Sequence, residues 1–154
     1  MLPPEMVIFW NATAQATFSQ FVALNDASGN QIFSVEGAST DGHAPTVIGQ
    51  GFFQVPPTVD GPYMLYLGTN GGSQWSNVIW TNDTLDNGGS NVMSRYIFGA
   101  EDGSDDDYND TFLQMQCFTR LALPRRGTLR LPVARTCNFT PRWIRRLTAS
   151  PPCA

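Results

Sequence analysis

An antiparallel β-sandwich of about nine strands with Greek-key-like connections is the fold that this sequence predicts. Apolar runs of roughly four to ten residues recur along positions 1–118 without the 3.6-residue period of a helix. Between them stand clusters of Gly, Asn, Asp and Pro, the residues that turn a chain. With 42% hydrophobic residues among 154, the chain is long enough to bury a core as one domain.

The elements follow in order. Val7 to Trp10 opens the series, Phe18 to Leu24 and QIFSV come next, and NDASGN between the last two, Asn25 to Asn30, marks a hairpin or loop. Residues 37–46 read as a loop in which His43, the single histidine, lacks any catalytic constellation spaced around it and counts as an ordinary loop residue. TVIGQGFFQV is a strand whose glycines mark a bulge and which Pro56 and Pro57 end. GPYMLYLG, WSNVIW, VMSRYIFGA and TFLQMQCF complete the set, separated by the turns TNGGS and NDTLDNGGSN and by an acidic loop. Phe112, Leu113, Met115 and Phe118 are expected in the core. Trp10, Trp75 and Trp80 are expected as packing anchors, although an exposed Trp is also able to stack on a sugar face.

Charge is unevenly placed. Residues 1–118 hold all 13 acids and one base, Arg95, a net of −12, whereas residues 119–154 hold the other eight arginines and no acid. So acidic a body argues against nucleic acid as a partner and for a metal or an uncharged ligand. The three cysteines, Cys117, Cys137 and Cys153, have no metal-ligand spacing and suggest no disulfide framework. The apolar run near the N-terminus is too short for a signal peptide or a membrane span, which leaves the compartment open between a cytoplasmic and a non-classically exported protein. From Thr119 the strand pattern stops, and residues 119–154 read as an irregular basic extension rich in Pro and Arg, following a domain of residues 1–118.

The most specific stretch is EDGSDDDYND. It packs Glu101, Asp102, Asp105, Asp106, Asp107 and Asp110 into ten residues. Two carboxylates ~5 Å apart repel by roughly 3 kcal/mol at an effective dielectric of about 20. Side chains of residues 1–118 offer one cation against this, so a hard divalent ion that takes oxygen ligands is the natural partner, and calcium suits the loop better than magnesium or zinc. The EF-hand template does not fit, since its glycine position falls on Asp110 and its final glutamate position on Gln116. A glycosidase needs a carboxyl group with a raised pKa, and carboxylates coordinated to calcium are held ionised, so an enzyme is not expected.

The run YIFGAEDGSDDDYNDTFLQMQ resembles the signature of the calcium-mediated fucose- and mannose-binding lectins of LecB type, matching each fixed position of the pattern E-D-G-x-D-x-D-Y-N-D. The resemblance implies a β-sandwich that binds mannose- or fucose-containing glycans through two adjacent calcium ions (Ca2+). It implies metal ligation by Glu101, Asp105, Asp107, Asn109 and Asp110, with Asp107 and Asp110 bridging the ions, and hydrogen bonds between the sugar and Asp102 and Ser104. Asp106 takes the variable, solvent-facing slot. It also implies a second loop beside the metals, whose backbone carbonyl joins the shell. Counting back from Gly29 puts Asp26 there, with Ala27 and Ser28 facing the sugar, while counting forward from the strand puts Asn25 there. Ala27 in the first of those registers implies a preference for mannose.

In the family so resembled, a terminal carboxylate enters the calcium site of a neighbouring subunit of a homodimer. Here Arg120 stands at that point, and a guanidinium cannot ligate calcium, so the homodimer is expected to be lost or rearranged unless the extension is clipped. A calcium-stabilised structural or adhesion sandwich without a sugar site is the alternative reading of the same residues.

Overall fold

Side chains that alternate between two environments make most of the described residues strand. The computed structural model describes residues 2, 5–42, 44–58, 61–103 and 107–118. Nine strands run through them: β1 (Val7–Ala14), β2 (Gln20–Asn25), β3 (Gln31–Gly37), β4 (Thr46–Gln54), β5 (Met64–Thr69), β6 (Gln74–Trp75), β7 (Asn77–Asn87), β8 (Ser90–Glu101) and β9 (Thr111–Phe118), with a 3-10 turn at Asn70–Gly72. They form a five-stranded sheet ordered β4-β1-β9-β8-β7 and a four-stranded sheet ordered β3-β2-β5-β6, with antiparallel pairing throughout. The predicted β-sandwich is the observed architecture. Among the described residues no helix is long and apolar enough to cross a membrane.

The core lies between the sheets. Ile8, Trp10 and Ala12 of β1, Phe98 and Ala100 of β8, and Leu113, Met115 and Cys117 of β9 face Val22 and Leu24 of β2, Phe33 of β3 and Leu67 of β5. Trp10 stacks on Phe33 across the layer at 3.9 Å between ring centroids and 11° between planes. The glycine-marked bulge is present: the pairing of β1 with β4 slips between Ala12 and Thr13, beside Gly49.

Three expectations about packing are corrected. Phe112 and Phe118 are not core residues, because the two-residue period of β9 that buries Leu113 and Met115 turns them to the outer face. Trp75 and Trp80 are exposed by 61% and 40%, since β6 and β7 are the edge strands of their sheets and only Trp10 of the three lies between layers. The stretch 82–87, expected as part of a turn, continues β7, and only Gly88 and Gly89 turn the chain, both at positive φ. An edge strand wetted on both sides tolerates Asn, Asp and Thr where a covered strand would not.

Candidate metal centre at one end of the sandwich

Strand register brings the first acids together. Ala100 of β8 pairs with Thr111 of β9, so the next step outward sets Glu101 and Asp110 at the mouths of adjacent strands. The loop between them doubles back closely enough that a Cβ on Gly99 would stand 2.8 Å from the Tyr108 carbonyl oxygen, and Tyr108 itself takes φ +55°. Only glycine admits that approach. The fold-back delivers the Tyr108 N–H to Glu101 Oε2 at 3.1 Å, while the Gly103 N–H donates to Glu101 Oε1 at 2.7 Å.

Glu101, Asp102 and Asp110 converge, with one carboxylate oxygen from each inside a 4.8 Å cluster. The Asp102 N–H donates to Asp110 Oδ2 at 2.8 Å, and Gln15 N–H donates to the Asp110 carbonyl at 2.9 Å, which ties the loop to the end of β1. Glu101 is 1% exposed. Burial, joined by the neighbouring Asp110 carboxylate and opposed by the two backbone donors, pushes its carboxyl up to about 7. A buried carboxyl among like charges gains most from a cation, and the gathered donor set is all oxygen, which fits calcium rather than a metal seeking nitrogen or sulfur.

Gln20, unmarked by any motif, completes the framework. Fully buried at the start of β2, it donates through Nε2 to Asp102 Oδ2 and accepts the Thr111 hydroxyl at 2.6 Å on Oε1. One amide thus links β9 of one sheet, β2 of the other, and the acidic loop. The only sequence signal for it is a glutamine standing beside an apolar run.

Of the other expected site residues, Asp107 and Asn109 pair with each other: the Asn109 backbone N–H donates to Asp107 Oδ1 at 3.3 Å and the Asn109 amide donates to Oδ2. Asp107 is not in the cluster of three. Ser104, Asp105 and Asp106, like His43 and residues 119–154, lie outside the described residues.

The loop after β2 stands elsewhere. Gln20 reaches Asp102 from one end of β2, and Asn25 ends the same strand at the other, roughly 17 Å away at ~3.3 Å per residue. The Asp26 carboxylate closes its own turn, accepting the N–H groups of Ser28 at 2.9 Å and Asn30 at 2.8 Å and the Asn30 amide at 2.9 Å. That amide bond is the first of the influences holding Asp26 below its ordinary pKa. Ala27 packs toward Gly61, and Ser28 is exposed. The structure therefore does not bring Asn25, Asp26, Ala27 or Ser28 to the three converging carboxylates.

The model of the fucose-binding lectin II (PA-IIL) family matches residues 1–119. The chain belongs to that family. Thrombocorticin from Corticium sp. is 27% identical over 115 residues, 72% of this chain and 85% of that protein. Among solved structures, the high-affinity mannose-binding lectin of Ralstonia solanacearum superposes with a TM-score of 0.60 at 18% identity. The C-terminal domain of the BC2L-C lectin from Burkholderia cenocepacia gives 0.59 at 21%. The Chromobacterium violaceum lectin CV2L, solved with alpha-methyl-fucoside, gives 0.57 at 16%. Each of these three superpositions covers 75% of this chain and 90% of the other. As a PA-IIL member the protein is a carbohydrate-binding lectin, and lectins bind carbohydrate without transforming it.

Proposed function

We propose that this PA-IIL lectin binds mannose- or fucose-type sugars through two adjacent calcium ions held by the 101–110 loop. The observation that carries the reading is the convergence of Glu101, Asp102 and Asp110, with the Glu101 carboxylate buried and already supplied with two backbone donors. Of the similar structures, one is a mannose-binding lectin and another was solved with alpha-methyl-fucoside, which supports the sugar class.

Bound calcium would supply coordination positions at which sugar hydroxyls replace water. Glu101 and Asp110 are the ligands set by strand register, and Asp105, Asp107 and Asn109 follow from the loop pattern. Asp102, oriented by Gln20, accepts a hydrogen bond from a sugar hydroxyl, and Ser104 adds a second polar contact. Backbone donors from Gly103 and Tyr108 hold Glu101 in place before any ion arrives, so binding spends little ordering entropy there. The 25–29 loop is left out of this centre because β2 separates the two, and with it goes the Ala27 argument for mannose over fucose.

Retention on mannose- or fucose-agarose in calcium, followed by elution with a chelator, is the expected behaviour. Absence of retention on both resins, or retention that chelator leaves unchanged, would overturn the reading.

A further inference from the structure

We propose that Trp75, Phe21 and Tyr66, with the Glu36 carboxylate at their edge, form a second carbohydrate subsite that takes a pyranose ring of an oligosaccharide extending from the 101–110 loop. The four residues share the outer face of the four-stranded sheet. Glu36, Phe21, Gly68 and Trp75 occupy one row across β3, β2, β5 and β6, and Tyr66 stands on the same face two residues along β5.

Gly68 makes the platform. A Cβ there would collide with the Gln74 carbonyl oxygen and lie 3.1 Å from Trp75 Cε3, so this glycine first lets the β6 backbone approach. A Cβ on Gly72 would lie 3.2 Å from both Trp75 Cη2 and Phe21 Cε1, so the second glycine lets the indole settle beside Phe21. Tyr66 supports it from the side at 5.6 Å between centroids. Covering a strand glycine with an aromatic ring accounts for the side of the indole against the sheet. It leaves 61% of Trp75 in solvent.

A sugar ring has an apolar C–H face and a rim of hydroxyls. An aromatic surface suits the first and a fixed carboxylate the second. The Glu36 carboxylate is fixed: its Oε1 accepts the Ser19 hydroxyl at 2.7 Å and the Gly71 N–H at 3.1 Å. Its position also ties the platform to the metal centre. Ser19 and Phe21 flank Gln20, whose side chain points inward to Asp102 while Phe21 faces out, so a glycan leaving the acidic loop over this rim passes onto Glu36 and Phe21 before Trp75. The two rings adjoin over Gly72, so one pyranose covers both, whereas β6 stands two strands from β2, roughly 10 Å, so a sugar held at the acidic loop beside β2 reaches this platform only as part of an oligosaccharide.

The proposal rests on the sugar reading of the 101–110 loop for the ligand's first contact. Its test is calorimetry of the full chain in calcium with methyl α-mannoside, methyl α-fucoside, an α-linked mannotriose and a fucosylated trisaccharide. For whichever sugar class binds, the trisaccharide should bind tighter than its methyl glycoside by on the order of tenfold. Trp75→Ala and Glu36→Gln should each remove most of that gain and leave the methyl glycoside unchanged. Glu36→Gln keeps the test decisive if Trp75→Ala fails to fold. Variants with unchanged melting and an unchanged ratio would make the platform a purely structural feature and overturn the proposal. If neither methyl glycoside binds, the reading of the acidic loop fails, and the platform is judged alone: in chelator, each trisaccharide is titrated while the Trp75 indole N–H resonance is followed. A shift supports the subsite, and none overturns it.

Discussion

Glu101 is where burial and charge meet. Its carboxyl is raised from an ordinary value of 4.5 to about 7, so the folded chain holds this proton more tightly than the unfolded chain does. The stabilisation from protonation is complete below about 4.5 and is lost as pH rises through about 7. Asp26 and Asp83, both lowered from 3.8, titrate below that window. In chelator, therefore, the contribution of Glu101 to the melting temperature should fall between pH 5 and 7.5. Calcium competes with the same proton, so its affinity should rise over the same interval. A calcium affinity independent of pH there would show that Glu101 does not face the ion. Gln20 offers a second test. Gln20→Leu keeps the volume but removes the amide that donates to Asp102 and accepts the Thr111 hydroxyl, which should cost roughly 1–3 kcal/mol and weaken calcium binding as well. Denaturant melts and calcium titration of the variant check both, and a change in stability alone would confine Gln20 to the framework.

The β8–β9 connection is the element that turns sequence into a site. Its acids were legible because a loop's donors are neighbours in the chain, and any hairpin joining two strands sets its two ends side by side. Gln20 was not legible, since it acts across 82 positions and only the sandwich brings it to Asp102. The same limit explains the 25–29 loop: composition marks a turn, but the end of the molecule at which that turn emerges depends on which way β2 runs. Strands covered on one face declared themselves by apolar pattern, whereas edge strands did not, and so the polar half of β7 reads as a turn and Trp75 and Trp80 read as packing anchors. Gly99 belongs to this scale too. In Gly99→Ala the new methyl meets a backbone oxygen, which cannot swing aside as a flexible side chain would. The loop must shift, at a cost of roughly 1–3 kcal/mol, and the Tyr108 donor moves off Glu101. Lower calcium affinity together with a lower melting temperature is expected, and wild-type values for both would mean that the fold-back has slack.

At the scale of the whole molecule the acidic loop bridges the two sheets, through Asp102 to Gln20 of β2 and through Asp110 to Gln15 just past β1. A ligand that binds only the folded form stabilises all of it, by about 2.7 kcal/mol at a concentration 100 times its dissociation constant. For a domain of this length that is a rise on the order of 5–10 °C in melting temperature. An equal melt in calcium and in chelator would count against a metal at this loop.

Residues 119–154 are expected to be separable from that folded unit. β9 is the middle strand of its sheet, paired on one side with β1 and on the other with β8, so the chain leaving Phe118 departs from a strand with no open edge. The inward side chains of β9 end at Cys117, which is buried among residues from both sheets. Truncation after Phe118 should therefore leave the circular dichroism spectrum, cooperative unfolding and sugar retention unchanged. It also removes eight arginines from a chain whose other residues carry a net −12. At low ionic strength that charge contrast favours contact between the two parts, and salt screens it over about 10 Å at 0.1 M. The melting temperature of the full chain should consequently change more between low and moderate salt than that of residues 1–118. Loss of cooperative unfolding on truncation would place the extension inside the domain, and equal salt dependence would show that its charge makes no contact with the body.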